Sequence, residues 1–169
     1  MVRLETVLSS WKAVRGDTAQ AVEDFPAAEM DYRPTPDLMT FRDTARHILD
    51  AGQILTGALL DEVDNMATPD FRERMKQYIP QLPADLDSAA LAGALRGELE
   101  TRAAELAARP ADFYAGEITR FDGQRVTRLE MLQFVKEHEL THRSQLFMYL
   151  RLKGIVPSTT RRRLAKAKA

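Results

Sequence analysis

Apolar residues return every three to four positions at the start of the chain: Leu4, Val7, Leu8, Trp11, Val14, Ala21, Val22 and Phe25, with Thr18 in step, share one face until Pro26 ends the pattern. The spacing predicts a first long helix. Three prolines and no period mark residues 26–39, and Thr40-Phe41-Arg42-Asp43 then reads as a capping-box-like start. In the run from Thr40 to Glu62, Thr44, His47, Ala51, Ile54, Leu55 and Ala58 fall on one side, which predicts a second helix. A short helix is expected over residues 68–78, before Pro80 and Pro83 interrupt. A third long helix begins near Asp87-Ser88, with Leu91, Leu95, Leu99, Arg102 and Leu106 on its inner side. Residues 117–128 centre on Asp122-Gly123, a two-residue turn signal between short strand-like runs, and predict a small hairpin. Thr127-Arg128-Leu129-Glu130 supplies another capping box, opening a last helix that runs to about Lys153 and stops at Gly154. The expectation is an all-α, four-helix bundle with a long connection between helices 2 and 3 and a small hairpin before helix 4. That connection, roughly two dozen residues, is long for a bundle turn and leaves the helix order open.

Composition narrows the class. A length of 169 residues, 44% apolar and 29% charged, suits one compact domain. The bundle is expected over residues 1–157, and residues 158–169, with Arg161, Arg162, Arg163, Lys166 and Lys168, are expected to form a basic, disordered tail. A formal net charge of −1 gives no electrostatic case for nucleic acid or an anionic membrane as partner. The absence of cysteine removes disulfides and protein thiolates, so any sulfur nucleophile has to arrive with a substrate. An N-terminus that is acidic by Glu5 and lacks an apolar run predicts no signal peptide and a cytoplasmic address.

Only three histidines occur: His47, His138 and His142. Each lies on the apolar face of its helix. On the last helix the inner stripe collects Met131, Phe134, Val135, His138, His142, Gln145, Leu146, Tyr149 and Leu152. The i, i+4 pair His138 and His142 stands about 5–6 Å apart at Cβ, the bite of one metal ion. His138-Glu139-Leu140-Thr141-His142 also matches H-E-x-x-H, in which the glutamate serves zinc peptidases as a general base. Peptidases of the common kind take their third ligand from downstream. Here Gln145 and Met148 stand where the extended motif needs Gly and His, and no further Asp, Glu or His follows. The third ligand must come from upstream, with His47 the leading candidate. Glu139, at the edge of the stripe, is a candidate base or partner of a ligand. Gln145 and Tyr149 are candidates for orienting a bound molecule, and Asp43, a turn before His47, is a weaker candidate ligand explained as well by its capping position.

The stretch Glu137-His138-Glu139-Leu140-Thr141-His142-Arg143-Ser144-Gln145-Leu146, running on to Tyr149-Leu150-Arg151 and Gly154 to Pro157, resembles the last-helix signature of the DinB/YfiT-like superfamily. Asp31-Tyr32-Arg33-Pro34, followed by Thr40 and His47, is similar to that family's first-histidine segment. Ser144 departs from the usual glycine without touching a ligand. The resemblance, from about Asp31 to Pro157, implies a DinB-like four-helix bundle in which His47, His138 and His142 hold zinc or nickel, Gln145 faces the site, and the chain is often dimeric. It also implies enzymes that activate a low-molecular-weight thiol for S-transfer to an electrophilic small molecule. A hydrolase using water with Glu139 as base, and a non-catalytic metal-binding stress-response protein, are the alternatives. Leu129, Leu132, Leu140, Phe147 and Leu150 form a second apolar set on the last helix, which adds to the expectation of a homodimer.

Overall fold

The computed structural model describes residues 2–168. Four long helices carry the fold: α1 (Leu4–Asp24), α2 (Phe41–Leu60), α4 (Ser88–Ala107) and α5 (Arg128–Leu152), with a short α3 (Pro69–Arg74) and an added α6 (Ser158–Lys166). The starts of α2, α4 and α5 are set by side-chain caps that satisfy otherwise orphaned backbone donors. Thr40 Oγ1 accepts from Asp43 N at 3.0 Å and Asp87 Oδ1 from Ala90 N at 2.7 Å. At the head of α5 the box is reciprocal, because Glu130 Oε2 also accepts from Thr127 N at 2.7 Å. Gly154, with φ of 73°, turns the chain out of α5.

Two apolar clusters fill the interior. One joins the beginning of α1 and α5 (Val7, Trp11, Met131, Val135) to the end of α2 and α4 (Leu55, Leu59, Leu99, Leu106). The other joins the opposite ends, with Val22, Phe25, Phe41, Ile48, Leu95 and Leu146. It follows that α1 and α5 run parallel, and that α2 and α4 run together in the reverse direction. Going round the bundle the order is α1, α4, α2, α5, so α1 and α2, consecutive in sequence, lie on a diagonal. The order that hydrophobic spacing left open is thereby settled, and the long connections serve these crossings. Nothing among the described residues is a helix long and apolar enough to cross a membrane.

The hairpin pairs β1 (Glu117–Thr119) antiparallel to β2 (Arg125–Thr127). Its turn is longer than the Asp-Gly pair alone: Gly123 N donates to Arg120 O at 3.0 Å and Arg120 N to Gln124 O at 2.9 Å. Gly123 takes φ of 81°, a left-handed conformation easy for glycine, which leaves Phe121 at the tip. The hairpin is tied to the segment after α2, where Thr119 N donates to Asp64 O and Thr119 O accepts from Met66 N, both at 2.8 Å.

Three expectations need correcting. The basic segment expected to be disordered is helical over Ser158–Lys166. Two of its charges and its first hydroxyl have partners on α1: Ser158 Oγ and Arg162 Nη2 donate to Asp17 Oδ1 at 3.1 and 2.6 Å, and Arg161 pairs with Asp24 at 2.7 Å. The second apolar set of α5 is also largely covered within the chain. Leu132 and Leu150 are fully buried, Leu129 and Phe147 partly, and of the five Leu140 alone is exposed. Leu152, expected on the inner stripe, is exposed as well.

Candidate metal centre

Because α2 and α5 are ring neighbours, the inner faces of both meet where the histidines lie. His47 sits two turns into α2, and His138 and His142 are one turn apart on α5. All three are half-buried, and one nitrogen from each lies within 4.8 Å of the others. His47 Nε2 and His138 Nε2 are 3.2 Å apart. Ring centroids stand 5.0 Å apart for His47 and His138, 4.6 Å for His47 and His142, and 4.5 Å for His138 and His142. Two nitrogens bound to one tetrahedral zinc at the usual bond length stand about 3.3 Å apart, so the closest pair has the separation of ligands to a shared ion.

Electrostatics prepare the rings for the same role. Burial, reinforced by His142 and His47, pushes His138 down from 6.5 to about 4 against the pull of Glu139. Burial also lowers His47, with His142 acting in the same direction and Asp50 opposing. Both imidazoles are neutral at physiological pH, the state a metal ligand requires. His142 Nδ1 is 2.8 Å from Gln145 Oε1, and as the donor in that bond it leaves Nε2 free for an ion. Gln145 is exposed beside His142 rather than buried in the stripe. The donor set therefore fits a divalent ion.

Three other candidates stand elsewhere. Tyr149 is buried in the far apolar cluster, its hydroxyl donating to Met39 O at 2.9 Å and its ring edge-on to Tyr32. That is a core hydrogen bond, remote from the histidines. Asp43 is exposed at the cap of α2 and is absent from the ligand cluster.

Glu139 requires the largest correction. It is 2% exposed and faces α1, not the histidines. Oε1 accepts from Arg15 Nε at 2.7 Å and Thr18 Oγ1 at 2.9 Å, while Oε2 accepts from Arg15 Nη2 at 2.8 Å and Trp11 Nε1 at 2.6 Å. Four donors consume the carboxylate, which leaves it no reach toward a reacting molecule. Arg15, also 2% exposed, gives Nη1 to Leu95 O at 2.8 Å. A Cβ at Gly52 would come within 3.1 Å of Arg15 Nη2, so the glycine leaves room for the guanidinium. Hydrophobic spacing passed over Arg15 because it is charged. A signal was nevertheless available: Trp11, Arg15 and Thr18 at i, i+4 and i+7 put three donors on one inward face.

Beside His47 and His138 opens a pocket of about 380 Å³. Hydrophobic spacing gave only its α2 and α5 walls. Phe121 from the hairpin and Met75 from the 3-10 turn after α3 close it from elements whose approach has no periodic signature.

An all-α bundle with three convergent imidazoles on adjacent helices defines a class of protein able to hold a divalent ion at its centre. The chain belongs to the DinB family, whose model matches residues 1–168. Among solved structures it resembles the DinB-like protein YjoA from Bacillus subtilis, at 23% identity over 88% of this chain and 92% of that one, with a TM-score of 0.68. YfiT from Bacillus subtilis, described as "a probable metal-dependent hydrolase with an unusual four-helix bundle topology", is 16% identical over 92% and 91% of the two chains, with a TM-score of 0.69. A mycothiol-dependent maleylpyruvate isomerase is 15% identical, with a TM-score of 0.63, over 86% of this chain but 61% of its own. At these identities the likeness establishes the fold. Nothing among curated proteins matches the chain.

Proposed function

We propose that this protein is a divalent-metal-dependent enzyme that activates a low-molecular-weight thiol for S-transfer to an electrophilic small molecule, with zinc or nickel held by His47, His138 and His142. The sequestered carboxylate of Glu139 carries the reading. Activating water at neutral pH is helped by a general base, and the glutamate that the motif offers is bound to Arg15, Thr18 and Trp11. A thiol needs that help less, having a pKa of about 8.5 when free. A divalent ion at the three nitrogens would supply positive charge that lowers the thiol's pKa further. The thiol proton passes to solvent, and sulfur forms the new bond to the electrophilic carbon, whose displaced electron pair leaves with a departing group or takes a proton from solvent. His47 and His138 enter this chemistry neutral, and Gln145 fixes the ring of His142. Low-molecular-weight thiols are kept reduced in the cytosol, which suits a cytoplasmic address. The chain's lack of cysteine is consistent with a thiol supplied from outside.

A hydrolase is the second reading, favoured by the description of YfiT. Two measurements separate them. Elemental analysis of protein purified without a metal-affinity tag should find about one ion per chain, lost in each of His47→Ala, His138→Ala and His142→Ala; full occupancy in the His47 variant refutes the upstream ligand. The loaded protein should then consume thiol saturably with 1-chloro-2,4-dinitrobenzene as electrophile. Ester turnover without thiol would favour hydrolysis, and neither activity would leave a protein that only holds the ion.

A further inference from the structure

We propose that the pocket beside His47 and His138 holds an uncharged apolar group of the substrate, an aromatic ring or branched alkyl chain attached to the reacting centre. This rests on the reading of the histidines as the reactive site and adds the class of substrate. Starting from the ligands, the walls continue with Ala51, Ile54 and Leu55 one to two turns beyond His47 on α2, and Phe134 one turn before His138 on α5. Opposite them stand Met75 and Phe121. Apart from the two imidazoles, every lining side chain is apolar. A volume of about 380 Å³ lies near the lower end of small-molecule sites, about 300–1,000 Å³, which suits a single ring more than a large ligand.

Charge strengthens the assignment. Among the described residues no lysine, arginine or carboxylate lines the pocket, so a charged substituent entering it would lose hydration without gaining a counter-ion. Arg120 comes near one wall, with Cζ 4.5 Å from the Phe134 ring centroid, but its Nη2 is already paired with Asp122 Oδ2 at 2.8 Å. Phe121 is 48% exposed at the hairpin tip, its ring 5.6 Å from that of Phe71. A large aromatic left half in solvent on the edge of an apolar pocket gains burial when an apolar group fills the space beside it.

The test has a metal-free and a metal-loaded arm. In the first, 19F NMR follows titration of metal-free protein with 4-fluorobenzyl alcohol and with 4-fluorobenzoate. The alcohol should bind at least tenfold more tightly than the carboxylate. Ala51→Phe, which fills the pocket, should abolish alcohol binding, and Phe121→Ser, at an exposed position, should weaken it several-fold. In the second arm, zinc-loaded protein is titrated with acetohydroxamate, benzohydroxamate and 4-carboxybenzohydroxamate, which share one chelating head. Benzohydroxamate should bind about tenfold or more tightly than either of the others, and Ala51→Phe should erase its advantage while leaving zinc content and acetohydroxamate affinity unchanged. Equal binding of alcohol and carboxylate, a preference for the carboxylate, or indifference to Ala51→Phe overturns the proposal. Loss of zinc binding with the fluorinated alcohol still bound in the pocket would instead count against the metal reading alone.

Discussion

Replacing Glu139 with glutamine distinguishes a structural carboxylate from a catalytic one. In the parent, Arg15 is buried and gives two nitrogens to Glu139, while Trp11 and Thr18 give one donor each. Glutamine keeps one acceptor oxygen but turns an amide NH2 toward groups that are themselves donors, and it removes the charge that neutralises the guanidinium. Breaking one side of a buried ion pair typically costs about 3–5 kcal/mol. For a chain of this size that corresponds to a fall in Tm of about 6–20 °C. Urea and thermal unfolding of the metal-free variant, followed by circular dichroism, measures it. Removing both charges in Arg15→Met/Glu139→Leu should recover most of the loss, because an apolar pair of similar volume avoids leaving a buried charge alone. A Glu139→Gln protein with parental stability and parental metal content, yet turnover lowered a hundredfold, would refute this reasoning and restore the glutamate as a base.

Three further outcomes follow from the packing. In metal-free protein the lowered His138 and His47 mean that, between about pH 6.5 and about pH 4, the unfolded chain binds more protons than the folded one; their contribution to stability is therefore full above pH 6.5 and falls as pH drops through that window. Urea midpoints should decline less steeply over this range in His138→Phe than in the parent, and equal slopes would contradict the burial argument. Ending the chain after Pro157 takes Ser158 and Arg162 from Asp17 and Arg161 from Asp24 and should cost about 1–2 kcal/mol, with faster amide exchange in the last turns of α1; unchanged exchange would show that α6 does not brace that helix. Leu140, Met148 and Leu152 remain exposed on α5, and a homodimer is expected to cover them. A mass fixed near 19.1 kDa by light scattering at all micromolar concentrations would refute it.

Local chemistry was the legible part of this chain. Thr40, the Thr127 to Glu130 box and Gly154 mark helix ends that depend on neighbours within four residues, and the structure uses each of them. The three histidines were legible too, since a polar ring on an apolar stripe needs a reason. What stayed hidden depends on partners far along the chain. The basic segment after Pro157 looked solvated until Asp17 and Asp24, more than 130 positions earlier, proved to face it. Phe121 had no periodic pattern to assign it, and its place in the pocket follows from a turn longer than Asp122-Gly123 alone.

Glu139 shows how topology decides what a motif means. Successive residues on a helix point about 100° apart, so His138 and Glu139 must face different neighbours whenever the helix is enclosed on two sides. Here α5 lies between α1 and α2, and the residue difference becomes a division of labour: the histidines turn to His47 on α2, and the glutamate turns to Arg15, Trp11 and Thr18 on α1. In a bundle whose ring order put α1 diagonal to α5, the same five residues would lack those donors and the carboxylate would be free. The ring order α1, α4, α2, α5 therefore gives the glutamate of this His-Glu-x-x-His its donors on α1. In the same rotation of α5 about its axis, Glu139 meets Arg15 and His138 and His142 face His47. Glu139 thus joins α5 to α1, while the three histidines cluster where α5 meets α2.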